Sequence, residues 1–511
     1  MRTWIDLADR RLGGLVLDAS DEWFAPKEHL LDTGPPAFDP TRYGTRGKQM
    51  DGWETRRHSP TGDDWAVVRL GAPGVVRRVI VDTTHFRGNA PARWALDGHT
   101  AATPVLDDAR GISWVPLVDW TDLRADHINH LDVRAGPRVT HVRLRIAPDG
   151  GVARLRVLGD AVTDLRLAAD RHGALDLAAV VNGGAVEAVS EEFFSPAHRI
   201  LQVGDARDMS DGWETRRRRD DGHDWVVVRL ATVGLVDRVE VDTTHFLGNH
   251  PQSCALDACH RPAASGEQLA IAADIWHEVV PTSPLGPHAR HVFDIAEPRA
   301  ASHVRLRIHP DGGVARLRVL GRVTDDGWRR AGVRWLDAAT LGGARDALTH
   351  CCASSRWVEQ MLARRPLGGF DDLCATADEA WWKLDPDDWR EAFAAHPRIG
   401  DRSGPAHTRD EQSGTAGADP EVLHALAEGN HTYEQRFGHV FLIDASGRPA
   451  DEMLAELQER LGNDPATELE VAAEQQRRIT RRRLDAMTRP ERRTAMSSAA
   501  HPATGIGRWS R

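Results

Sequence analysis

Two stretches of the first 324 residues repeat almost without gaps. Residues 51–89 match 211–249 at 26 of 39 positions, and 141–159 match 303–321 at 18 of 19. The offset grows from 160 to 162 between the blocks, so the intervening chain differs by two residues. A weaker match joins Asp21-Glu22-Trp23-Phe24-Ala25 to Glu191-Glu192-Phe193-Phe194-Ser195. Self-similarity of this length constrains the architecture before any local reading: one unit is built twice, over about 1–162 and 163–324.

The repeated segments read as strands. Trp65, Val67 and Arg69 alternate with Ala66, Val68 and Leu70, and Val76, Val79 and Val81 follow a turn at Pro73-Gly74. His141 to Ile146 alternates polar and apolar residues with period two, as a sheet with one buried face requires. Asp149-Gly150-Gly151 supplies a turn before the alternation resumes at Arg154. Short strands joined by glycine-rich turns predict a β-sandwich, a jelly roll, in each copy.

Helical spacing takes over after a short linker at 325–336. Ser355, Trp357, Val358 and Met361 mark a helix ending before Pro366, and Asp371 is a candidate cap for the next. Asp385-Pro386, Asp419-Pro420 and Asp464-Pro465 each place a capping acid before a proline at the first helical position. Residues 337–487 therefore predict an all-α domain, with a flexible tail at 488–511. The chain reads as multidomain: two tandem sandwiches, then helices.

Charge and composition exclude several classes. The net charge of −11, from 65 basic and 76 acidic residues, argues against nucleic acid as a partner. No apolar run is long enough to span a membrane. Five cysteines cannot scaffold 511 residues through disulfides, and the start lacks a secretory pattern, so a cytoplasmic setting is expected.

Within the repeat, polar residues exceed what strands need. Asp51, Glu54, Arg56 and Arg57 precede the first long strand; Asp211, Glu214, Arg216 and Arg217 are their copies. Asp82-Thr83-Thr84-His85, with Asn89, ends the strand pattern and is mirrored by Asp242-Thr243-Thr244-His245 with Asn249. Such a set can bind a polar substrate or a metal; equally, its acids and amides can cap turns. Arg56, Arg145 and Arg154, with Arg216, Arg307 and Arg316, offer fork geometry to a carboxylate, or else line a wet sheet face. In the helical part, His396 stands at a helix end with Glu411-Gln412 fifteen residues on. A histidine and a carboxylate can exchange protons near neutral pH, and His396 can equally be a cap.

Residues 23–27, 51–57, 81–86 and 148–156 resemble the allantoicase family, whose members carry two tandem jelly rolls; the likeness covers nearly all of 10–323. It implies hydrolysis of allantoate to ureidoglycolate and urea. Glu54, Asp82 and His85, with Glu214, Asp242 and His245, become the candidate catalytic groups. Arg56, Arg145 and Asn89, with Arg216, Arg307 and Asn249, become the candidate substrate contacts. Lys27 is replaced by Ala197 in the second copy, which favours the first if only one lobe is active. Metal use stays open, since no HxH or HExxH set is present.

A second resemblance covers about 335–487. Cys351 to Trp357, Asp388-Trp389, Phe393 to Gly400, Glu411-Gln412 and Tyr433 to Gly438 are similar to OHCU decarboxylase, which acts on 2-oxo-4-hydroxy-4-carboxy-5-ureidoimidazoline. The likeness implies an all-α, cofactor-free enzyme that releases carbon dioxide and forms (S)-allantoin. It makes His396 the proton donor and Glu411 the orienting carboxylate. Pro397, Gln412, Thr408 and His439-Val440-Phe441-Leu442-Ile443 become substrate contacts, with Arg398 a further anion-binding candidate. Thr408 stands where serine is expected, and His439 where a more apolar residue is. The two activities flank a ring opening by allantoinase, for which no domain is present here; a separate allantoinase is the expected functional partner. A homo-oligomer is expected. The alternatives are one inert half, or sandwiches that bind carbohydrate.

Overall fold

The computed structural model describes residues 4–57, 62–101, 112–134, 136–172, 174–399 and 418–490. Each repeat is a β-sandwich organised around one strand of 19 residues, Asp64–Asp82 in the first and Asp224–Asp242 in the second. The first half of Asp64–Asp82 pairs with Leu15–Ala19 and with Arg138–Ala147. Its second half pairs with Arg154–Ala161 and Ile128–Asp132. A single strand thus belongs to both layers. Arg93–His99 and Val115–Asp122 extend one layer, and Ile5–Asp6 edges the other.

The expected turn at Pro73-Gly74 is instead a bend inside this strand. A Cβ at Gly74 would lie 2.4 Å from the Asp160 carbonyl oxygen, so only glycine lets the neighbouring strand approach there. The predicted alternation holds on either side: Ala66, Val68, Leu70, Val142, Leu144 and Ile146 are buried between the layers. One apolar core runs continuously through both repeats. Arg11 of the first repeat also reaches Asp211 of the second at 3.1 Å.

The helical part comprises Asp325–Ala338, Leu341–Cys351, Ser355–Ala363, Phe370–Trp382, Pro386–Ala394, Pro420–Phe437, Ala450–Arg460 and Pro465–Thr488 among the described residues. Asp385, Asp419 and Asp464 occupy the N-cap positions that the acid–proline pairs predicted. Gly369, with Asp371 inside the first turn, caps Phe370–Trp382. The stretch expected as a linker, 325–336, is most of the first helix, and its Val333 and Leu336 belong to the helical core. That helix also seats the domain on the sandwiches. Thr232 Oγ1 donates to the Gly327 carbonyl at 2.6 Å, and a Cβ at Gly327 would lie 1.9 Å from the Val233 carbonyl oxygen. Arg334 reaches the Ala161 carbonyl at 3.3 Å. The expected tail beyond Thr488 falls outside the described residues from 491 onward. No helix of the described residues is long and apolar enough to cross a membrane.

Candidate active sites

The three most faithfully repeated motifs converge on one place. In the first repeat the short strand Trp53–Glu54 pairs with Gly151–Val152, while the Gly151 N–H donates to the Asn89 carbonyl at 2.8 Å. Gly150, at φ +137°, is the turn residue that brings these together. A Cβ at Gly151 would fall 1.9 Å from the Phe86 ring, so the ring can pack under the site only against glycine. The result sets the Asn89 side-chain nitrogen 2.7 Å from Glu54 Oε1. Glu54 is 8% exposed, and burial pushes its carboxyl above the ordinary glutamate range, opposed by the Asn89 hydrogen bond and the Arg57 charge.

Glu54, His85 and Asn89 line a cleft of about 590 Å³ with Phe24, Phe38, Lys48, Met50, Arg57, Arg87 and Gly88. His85 takes φ +72°, an unfavourable conformation for a residue with a Cβ. It is held there by its N–H donating to Asp126 at 2.8 Å, and its ring stacks 5.4 Å from that of Phe38. Three expected site residues lie elsewhere. Asp82 is buried and accepts the Thr84 N–H at 2.8 Å, capping the strand exit. Arg56 pairs with Asp21 at 2.7 Å and covers the Trp23 ring. Arg145 lies on the sheet face with Asp97, 3.0 Å away, because strand alternation sends it there. Arg154 is not a wet-face residue: it is buried, pairs with Asp51 at 2.8 Å and donates to the carbonyls of Gly34 and Asp51.

The second repeat keeps the framework. Asn249 donates to Glu214 at 2.6 Å, and His245 again has positive φ, at +73°. Its N–H goes to His288 Nδ1, and its Nε2 lies 2.9 Å from the Ala206 carbonyl oxygen. Asp242 repeats the strand-exit cap with Thr244. Arg216 lies over the Phe193 ring, and Arg307 pairs with Asp257 at 2.9 Å, so neither repeats a cleft contact.

Among the described residues, only His29, Asp32 and Asp51 bring three candidate metal-ligand atoms within 4.8 Å of one another. Asp51 is held by Arg154 and Asp32 by Arg10, and none of the three lines the cleft.

In the helical domain, His396 follows Pro386–Ala394 and its N–H donates to the Phe393 carbonyl at 3.0 Å. It lines a narrow cleft with Pro397, Ile399, Phe441, Leu442, Ile443, Asp444, Ala445, Ile479 and Arg482. Glu411, Gln412 and Thr408 lie outside the described residues. The run 441–443 alternates like a strand without a ladder: Leu442 packs into one core, Phe441 and Ile443 into another. Arg460 fixes it by donating to the Leu442 carbonyl at 2.7 Å. Arg460 is itself paired at 2.6 Å with Glu468, which is fully buried and also accepts the Tyr433 hydroxyl.

His439 and Val440 do not line this cleft. His439 is ringed by Phe393, Tyr433 and Phe437, and burial holds its imidazole below the ordinary histidine range. Arg398 grips Glu434 through two bonds of 2.7 Å outside the cleft. The guanidinium that does line the cleft is Arg482, paired with Asp444 at 2.6 Å. Its place on a 24-residue helix full of arginines gave the sequence no means of singling it out.

Comparison with known proteins agrees with this division. The allantoicase repeat family matches residues 5–162 and 175–324, and the OHCU decarboxylase family matches 338–485. A probable allantoicase 2 of Burkholderia pseudomallei is 47% identical over 326 residues, covering 63% of this chain and 96% of that one. The crystal structure of allantoicase from Saccharomyces cerevisiae is 34% identical, with a TM-score of 0.52 over 62% of this chain and 92% of its own. A crystal structure of OHCU decarboxylase, solved in the presence of (S)-allantoin, is 40% identical over 28% of this chain and 97% of its own, with a TM-score of 0.26. The chain belongs to the allantoicase family and carries an OHCU decarboxylase domain behind its repeat.

Proposed function

We propose that the chain performs its two steps of urate breakdown at two separate clefts: allantoate loses urea in the first repeat, and OHCU loses carbon dioxide beside His396. The observation that carries the first assignment is the buried Glu54 carboxyl on a cleft wall, with a raised pKa and a fixed amide partner. Converting allantoate to ureidoglycolate breaks a C–N bond at the central carbon. The departing nitrogen keeps the electron pair and gains a proton, and water joins the same carbon and gives one up. A carboxyl whose proton affinity lies nearer neutrality than usual can carry that proton both ways. Asn89 fixes its rotamer, and the His85 ring lines the same cleft.

In the helical cleft, departure of the carboxylate leaves an electron pair that the substrate's own imine-like system delocalises. The protein's task is to hold that bond at right angles to the ring system and deliver one proton. His396 is the donor, and the buried walls from Phe441 to Ile443, with Ile399, keep water from competing. Arg482 exchanges Asp444 for the substrate's carboxylate. We assign the decarboxylase half no cofactor, since its substrate supplies the electron sink, and the metal question concerns the allantoicase half alone. Five free cysteines fit a reducing cytoplasm, and allantoin leaves for a separate ring-opening enzyme.

The test uses the full chain, with urea release from allantoate and (S)-allantoin formation from fresh OHCU measured in parallel. Glu54→Gln abolishes the first and spares the second; His396→Ala does the reverse. A variant that loses neither activity, or both, removes its residue from the scheme.

A further inference from the structure

The two repeats differ most where the sequence match breaks. Leu31 to Asp51 spans twenty positions, whereas Leu201 to Asp211 spans ten. The longer segment of the first repeat carries Phe38, the hairpin of Tyr43–Gly44 with Gly47–Lys48, and Met50. Phe38, Lys48 and Met50 form one wall of the cleft. The shorter segment of the second repeat has no lysine, its one cation Arg207 being paired with Asp211 at 3.0 Å; Leu247 stands in place of Arg87, and the Met209 sulfur lies 3.8 Å from the Asn249 amide nitrogen.

The cations of this wall and its surroundings differ in their commitments. Arg56, Arg78, Arg143, Arg145 and Arg154 of the same repeat each have an aspartate partner. Arg87, on the cleft, is held by Asp126 at 2.9 Å. Among the described residues Arg57 donates to the Gly88 carbonyl alone, at 3.3 Å, and Lys48 Nζ rests 4.5 Å from the Phe38 ring centroid. Neither has a carboxylate partner among the described residues. Two cations that share one cleft, neither in an ion pair with a carboxylate among the described residues, with the Arg57 charge acting on Glu54 across it, are a preformed place for an anion.

The geometry points to Lys48 and Arg57 as the pair that receives the carboxylate of allantoate, which makes the first repeat the hydrolytic one. This rests on the reading of the Glu54 cleft as the allantoate site. The planar Arg57 guanidinium sets the orientation of the carboxylate, and Lys48 adds charge from the hairpin side. The two ureido groups are then left for Glu54, Asn89 and His85. Arg56 and Arg145, the cations that sequence alone favoured for this task, have their own aspartates and stand outside the cleft.

Kinetics of the full chain test the assignment. Lys48→Ala and Arg57→Ala are each expected to raise KM for allantoate about tenfold, with kcat within about threefold of the parent, and Lys48→Arg to restore KM. Methylenediurea, which carries both ureido groups and no carboxylate, serves as inhibitor: its affinity stays the same in Lys48→Ala. An unchanged KM overturns the clamp, and so does an equal loss of methylenediurea affinity. If Glu54→Gln is inactive while Lys48→Ala behaves as the parent, the clamp alone fails. If Glu54→Gln retains full activity, the reading of the cleft fails with it.

Discussion

Asn89 and Glu54 meet at 2.7 Å across the turn of Gly150 and Gly151, joining two motifs that stand 35 positions apart in the chain. The contact has an electrostatic consequence. Burial favours the protonated Glu54 carboxyl, while the amide donor favours the ionised form. Removing the donor therefore moves the carboxyl further upward. The acid-side limb of kcat/KM for allantoate is expected above the ordinary glutamate range, and Asn89→Ala should shift it to still higher pH. A limb that stays put in Asn89→Ala separates Glu54 from the titration.

Stability should report the same group independently. With its folded-state pKa raised, protonated Glu54 contributes stability at low pH. That contribution is lost as pH rises from the unfolded-state pKa through the folded one. Glu54→Gln has no such loss. Its thermal midpoint relative to the parent should therefore improve between pH 4 and pH 7.5; a difference independent of pH would show that the carboxyl is not perturbed.

The duplicated glutamates give a comparison within one molecule. Glu214 has the same amide partner, at 2.6 Å, but lacks the hairpin wall and its lysine. Glu54→Gln is expected to lower kcat for urea release by roughly a hundredfold or more, a general acid–base contribution. Glu214→Gln should change it by less than about threefold. Equal losses from the two variants would mean that the second repeat also turns substrate over.

How much of this the sequence disclosed depends on what each signal measures. The repeat and its alternation gave two sandwiches because burial on one face leaves a period-two record. They could not reveal that Asp64–Asp82 crosses both layers, since a bend at Pro73-Gly74 and a turn there read alike. Glu54, His85 and Asn89 were legible as surplus polar residues. Asp82 was legible for the same reason and belongs to a cap, because a capping acid and a catalytic acid have the same identity. Lys48 and Phe38 were hidden in a segment with no repeat partner, and Arg482 among other helix arginines. His439 misled because a polar residue in an apolar run can end in an aromatic cage as well as in a cleft.

The helical cleft depends on a buried ion pair. Arg460 holds the Leu442 carbonyl and is balanced by Glu468, itself fully buried. Arg460→Met leaves the Glu468 charge without its counterion, which should destabilise the helical domain by about 3–5 kcal/mol. Urea denaturation followed by tryptophan fluorescence would measure this. Decarboxylation should fail at temperatures where allantoate hydrolysis persists; failure of both together would show that the domains unfold as one unit.

Supplying allantoin alone tests how the two halves relate. On the proposed division, the helical cleft yields allantoin, whose ring is closed, and the first repeat's cleft takes the open-chain carboxylate. Allantoin lacks the free carboxylate that Lys48 and Arg57 are positioned to hold, and ring opening requires water to attack an amide carbonyl within the ring. The full chain given allantoin should therefore release no urea, and given OHCU it should accumulate (S)-allantoin. Adding an allantoinase to either mixture should start urea release after a lag set by the added enzyme. Urea formed from allantoin before that addition would show a third activity in this chain and would undo the separation of the two steps.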